Sequence, residues 1–241
     1  MPDGSISGSW FARVDRYASV HAVRSQAIIT RNGKDKSNSC GIASIIMVNF
    51  KMKKHLVVAG VAAGAAVSSV PILGGFVGGQ LASAFIDNAV KTEPEVYRIY
   101  TSVTGSAYDG SAYSDALKFP SVLLQLGLGD WECVFVGEGG FYAAAKAATD
   151  SGTPVIGHVV WNSGGAHFVV IDEVHSTFGG KLCVCDPWDG ELRLVSATSG
   201  SPVNYDPSGH VWSFSAGGNR HETSTKPNPG KFSGWIVRKK S

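Results

Sequence analysis

Four cysteines in 241 residues, Cys40, Cys133, Cys183 and Cys185, are too sparse for a disulfide scaffold. They are therefore core fillers, or one of them does chemistry. Cys40 stands apart from the rest. It follows the small polar run Ser37-Asn38-Ser39 and leads into apolar residues at Ala43, Ile46, Met47 and Phe50, the i, i+3, i+4, i+7 spacing of a helix face. That spacing predicts a helix over about 40–53, capped by Asn38 or Ser39. A thiol attacks only as the thiolate, and a helix N-terminus favours that anion.

A cysteine nucleophile also needs a base, and the base needs a partner that orients it. His167 is the best placed of the seven histidines. It opens the apolar strand His167-Phe168-Val169-Val170-Ile171 directly after Gly164-Gly165, where a polar group is costly unless it is used or paired. Asp186 ends the next strand. If Val174 pairs with Lys181 across the intervening turn, Val169 faces Asp186. His167, two residues from Val169, then shares that face. A slip of one residue would put His167 and Asp186 on opposite faces.

The elements that must position these three follow from the same pattern. Strands are predicted at 131–136, 154–161, 167–174, 181–185, 191–195 and 235–238. The strand-like run in the polar stretch 1–39 is Ala27–Thr30. Helices are predicted over 80–91, from the Thr92-Glu93-Pro94-Glu95 capping box to about 103, in a piece ending near Leu126, and over 141–149, stopped by Gly152. Residues 196–230 read as one long Ser/Gly/Pro/Asn-rich loop.

A nucleophile at the start of an N-terminal helix, with His and Asp far downstream on strands, resembles the papain-like cysteine peptidases. Ser39-Cys40-Gly41-Ile42-Ala43-Ser44 resembles the Cys-Gly-Pro-Ala-Ser box of the bacteriocin-leader-processing type. Gly165-Ala166-His167-Phe168-Val169-Val170-Ile171 resembles its histidine strand, and Asp186-Pro187-Trp188-Asp189-Gly190 its Asp-Pro turn. The resemblance covers about half of the chain. It implies an α+β fold in which the cysteine helix packs on an antiparallel β-sheet, with a Cys40–His167–Asp186 triad performing acyl transfer on a protein or peptide substrate. Trp188 is similar to the tryptophan that shields the histidine pair in plant papain-like enzymes. The family's oxyanion-hole glutamine falls here on Lys34, so Asn38, Gln26 or the Cys40 backbone N–H is left to fill that role.

Residues 56–85 contain no charged side chain and six glycines, and they follow Lys51, Lys53 and Lys54. The run is long enough to cross a bilayer, but Pro71 and the soluble-looking surroundings favour an apolar insertion (55–85) within a single domain, 1–241. Membrane contact through it is the alternative. Net charge +2 argues against a nucleic-acid partner. Cys183 and Cys185 share a strand face, yet their spacing is not that of a zinc knuckle and no second pair follows, so neither metal nor cofactor is expected. Cys133 reads as a core residue. Oligomeric state is not encoded in any motif.

The N-terminal residues contain no apolar h-region, so no secretory signal peptide is read. The expectation is a cytoplasmic protein or one exported without such a signal, as a bacterial effector or toxin would be. Two alternatives remain open at this stage. One is a peptidoglycan amidase or protein deamidase of the same fold. The other is a non-catalytic membrane-active protein that uses 56–85.

Overall fold

The computed structural model describes residues 5–7, 10–14, 17, 19–26, 38–53, 93–110, 112–207, 214–215 and 229–240. The expected strand at Ala27–Thr30, the helix over 80–91 and the apolar run 56–85 lie outside these residues. In chain order the elements are β1 (Ser5–Ser7), β2 (Trp10–Val14), β3 (Val20–Arg24), α1 (Cys40–Met52), α2 (Glu93–Thr104), α3 (Phe119–Gln125), β4 (Trp131–Phe135), α4 (Phe141–Asp150), β5 (Val155–Trp161), β6 (Ala166–His175), β7 (Lys181–Asp186), β8 (Glu191–Ser196), β9 (Asn204–Tyr205), β10 (Phe214–Ser215) and β11 (Gly230–Lys239). The architecture is α+β. Among the described residues, no helix is long and apolar enough to cross a membrane.

The larger sheet runs β4-β11-β5-β6-β7-β8, with β9 added beside β11, and its pairings are antiparallel. Both faces are covered, so its central strands read as almost continuous apolar runs rather than alternating ones. Phe168, Val170, Cys183, Cys185, Leu192 and Leu194 join α1 in one core. Val169, Ile171, Leu182, Val184 and Val195 join Phe141, Tyr142 and Ala145 of α4 in the other. Helix α1 is buried from Cys40 to Phe50. A helix that is apolar nearly all round belongs inside.

The smaller sheet corrects two expectations. β1, β2 and β3 form antiparallel pairs in the stretch expected to hold only the run at 27–30. The expected loop 196–230 contains β9 and β10, and β10 pairs with β2. Residues far apart in the chain thus close the N-terminal sheet. Such pairing is non-local and leaves no trace in a short sequence window.

The β6–β7 hairpin also departs from its expected register. Val174 faces Leu182 and His175 faces Lys181, one residue away from the Val174–Lys181 pairing. The ladder then shifts at Asp172, the extra residue between Ile171 and Glu173, and from there Ile171 faces Val184 and Val170 faces Cys185. The bulge restores the expected frame in the half of the hairpin that carries His167 and Asp186. Had the hairpin frame continued, Asp186 would have stood opposite Val170, on the face away from His167.

Candidate active site

His167 and Asp186 are brought together as the site half of the ladder requires. His167 Nε2 lies 2.7 Å from Asp186 Oδ1, and both side chains are buried. Burial pushes the imidazole pKa down, but the charge and hydrogen bond of Asp186, followed by those of Cys40, outweigh it and raise the ring to about 10. Cys40 is therefore near enough to His167 to act on the charge of its ring. With Nε2 taken by Asp186, Nδ1 is the nitrogen left to serve the thiol.

The imidazole lies between two tryptophans. Trp161 stacks on it, with ring centroids 5.4 Å apart, and Trp188 meets it edge-on at 5.9 Å. Trp188, the expected shield, thus has its ring against His167; Trp161 is additional. Its only signal was its place at the end of β5, facing the turn that leads into His167.

Asp186 is a saturated acceptor. Oδ1 also accepts the Trp188 backbone N–H at 2.8 Å. Oδ2 accepts from Arg193 Nη1 at 3.0 Å and from the Tyr205 hydroxyl. Burial would raise this carboxyl, but Arg193 and then His167 hold it well below the usual carboxylate range. Arg193 is itself fully buried, pairing Asp189 at 2.7 Å and donating to Pro207 O at 2.8 Å. Neither Arg193 nor Tyr205 was foreseen. The available hint was an arginine between Leu192 and Leu194 in a buried strand, since a buried cation implies a buried anion.

Cys40 stands at the first turn of α1, as expected. Ser39 is the N-cap by position but makes no side-chain cap bond. Its hydroxyl instead pairs with Tyr97 Oη at 2.6 Å. The Tyr108 hydroxyl donates to Asn38 O at 3.1 Å, and the Asn38 N–H donates to Gly110 O at 3.2 Å. Burial, then the neighbouring Tyr97 and Cys40, push the Tyr108 hydroxyl up, so it remains a donor. Gly41 is required here: a Cβ on it would lie 2.1 Å from Ser114 Oγ and 2.6 Å from the Phe119 ring. That contact seats the 112–119 segment against the start of α1, beside Cys40.

The two side-chain candidates for an oxyanion donor fall in different places. Asn38 is held in the turn before Cys40 by its backbone. Gln26 is buried against the Asp186-Pro187 turn, its N–H donating to Pro187 O at 2.6 Å. The first helical bond of α1 runs from Ala43 N–H to Ser39 O. The N–H groups before it, that of Cys40 included, are donors without an intrahelical acceptor.

A second cluster lies on the α1 face of the sheet. His21 Nδ1 of β3 is 2.9 Å from Asp172 Oδ1, and Lys51 of α1 is paired with Asp172 Oδ2. The ligand atoms of His21, Asp172 and Cys185 all fall within 4.8 Å of one another, close enough for one cation. The Lys51 ammonium already answers the Asp172 charge, so the chain supplies its own cation there. Cys133, expected in the core, is half-buried against it, and burial pushes its thiol up to about 11.

No family model matches the chain, and no curated protein matches it.

Proposed function

We propose that the chain is a papain-like thiol acyl-transfer enzyme, a cysteine peptidase acting on a protein or peptide. The observation that carries this reading is the buried His167–Asp186 pair at 2.7 Å, with Cys40 at a helix start near enough to act on the same ring.

In the proposed reaction, the Cys40 thiolate attacks a substrate carbonyl, forming the S–C bond and an oxyanion. An imidazolium and a helix N-terminus beside a thiol both favour the thiolate, and the Cys40 backbone N–H is one donor to the oxyanion. As the intermediate collapses, the C–N bond breaks and protonated His167 gives its proton to the leaving amine. Water then attacks the thioester, His167 takes a proton from it, and the C–S bond breaks to regenerate the thiolate. Asp186 holds the ring's orientation and supports its charge without accepting the proton. The same steps at a glutamine side chain would release ammonia, so deamidation remains within this chemistry.

A thiol-directed activity probe tests the reading. Labelling of the wild-type protein should vanish in Cys40→Ala and fall steeply in His167→Ala. Undiminished labelling of Cys40→Ala would end the proposal.

A further inference from the structure

Helix α1 and strand β6 pack side by side, and two pairs of polar residues lie along their contact. At one end, Cys40 at the start of α1 acts on the His167 ring at the start of β6. At the other end, Lys51 pairs with Asp172. The two spans match. From Cys40 to Lys51 is eleven residues of helix, about 16.5 Å at ~1.5 Å per residue. From His167 to Asp172 is five residues of strand, also about 16.5 Å at ~3.3 Å per residue.

We propose that Lys51 and Asp172 are positioning residues for the nucleophile: their ion pair, locked by His21 from β3, fixes where α1 sits along β6 and so holds the Cys40 thiol at His167. The catalytic part of this statement rests on the function proposed above.

Apolar packing alone fixes an axial position poorly, because neighbouring ridges and grooves on a helix repeat along its axis. A charged pair has one best position. Lys51 and Asp172 are both largely buried, at 10% and 12% side-chain exposure. A buried ion pair is weak support for stability, since desolvation offsets most of the attraction, whereas its use in fixing register is well attested. The surroundings make this pair specific. His21 holds the other carboxylate oxygen, and Glu173 Oε2 lies 4.0 Å from His21 Nε2. Cys183 and Cys185 close the cluster from β7. The bulge at Asp172 turns the ladder at the same point, so one residue both shifts the strand frame and receives the helix.

The test compares Lys51→Met, Asp172→Asn, the double variant and Lys51→Arg. The double variant removes both charges together and leaves neither buried and unpaired. Two quantities are read in each: the rate of Cys40 alkylation by iodoacetamide, located by peptide mass mapping, and the titration midpoint of the His167 ring by NMR. Losing the pair should slow Cys40 alkylation on the order of tenfold to a hundredfold, as a displacement of about 1 Å can. It should also lower the His167 midpoint toward that of Cys40→Ala. Lys51→Arg should restore both. Wild-type rates and midpoints in the folded double variant would overturn the positioning role. A wild-type Cys40 no faster than a free thiol would instead overturn the proposed chemistry, so the two failures are distinguishable.

Discussion

Among the described residues, two buried histidine–carboxylate pairs have nearly equal geometry. His167 meets Asp186 at 2.7 Å, and His21 meets Asp172 at 2.9 Å. Each carboxylate has a basic residue on its other oxygen, Arg193 in the first case and Lys51 in the second. Each imidazole has a cysteine neighbour. What differs is the thiol. Cys40 begins a helix, whereas Cys185 lies mid-strand in a closed core, where burial and the Asp172 charge push its thiol up and keep it protonated and inert. The lesson is that a Cys–His–Asp set is not by itself a reactive site. Reactivity depends on what stabilises the anion, and structural duty falls to the set that lacks such support.

Exchanging the thiols breaks the comparison most sharply. Cys40→Ala should cost about 10³-fold or more of any thiol-dependent activity, as loss of a triad nucleophile does. Cys185→Ala should leave labelling of Cys40 intact, checked by mass mapping.

The next largest effect concerns the basic partners. Arg193→Met takes the guanidinium from buried Asp189, which then lacks that counter-charge, and one donor from Asp186; it should destabilise the fold by roughly 3–5 kcal/mol in urea unfolding. Lys51→Met should cost less, because His21 still holds Asp172.

A pH titration separates the two rings. His167 should stay protonated through neutrality and titrate near pH 10. Its folded value lies above the ordinary 6.5. Its stabilisation is therefore complete below pH 6.5 and is lost as pH rises through about 10. Cys40→Ala should lower this midpoint and leave His21 unaffected. A common shift of both rings in NMR would merge what the comparison separates.

The smallest effect tests the shielding. Trp188→Leu removes an edge-on aromatic contact worth about 0.5–1.5 kcal/mol. It should lower activity a fewfold while unfolding changes little, measured by kcat beside the urea midpoint.

Much of the candidate site was legible because its signals are local. Cys40 begins an apolar helical pattern, and His167 opens an apolar run. The pairing of His167 with Asp186 was reached through a hairpin register that is one residue off. The bulge at Asp172 corrects it, and nothing in Ile171-Asp172-Glu173 marks which polar residue is the extra one. Arg193, Tyr205 and His21 were not legible, for a common reason. Each is defined by a partner brought near through sheet pairing, and a linear pattern does not record which strands become neighbours. β3 and β9 are short, so their pairing leaves too little periodicity to read.

The four donors on Asp186 carry a consequence for substitution. A carboxylate can satisfy a ring nitrogen, a backbone amide, a guanidinium and a phenol together, because all its valences accept. An asparagine brings one oxygen and an NH₂ group that needs acceptors, yet finds the Arg193 guanidinium and the Tyr205 hydroxyl turned toward it. Where a structure leaves this position lightly coordinated, amide and acid are interchangeable; here the amide would meet donors on every side, and replacing the acid would require Arg193 and Tyr205 to change with it.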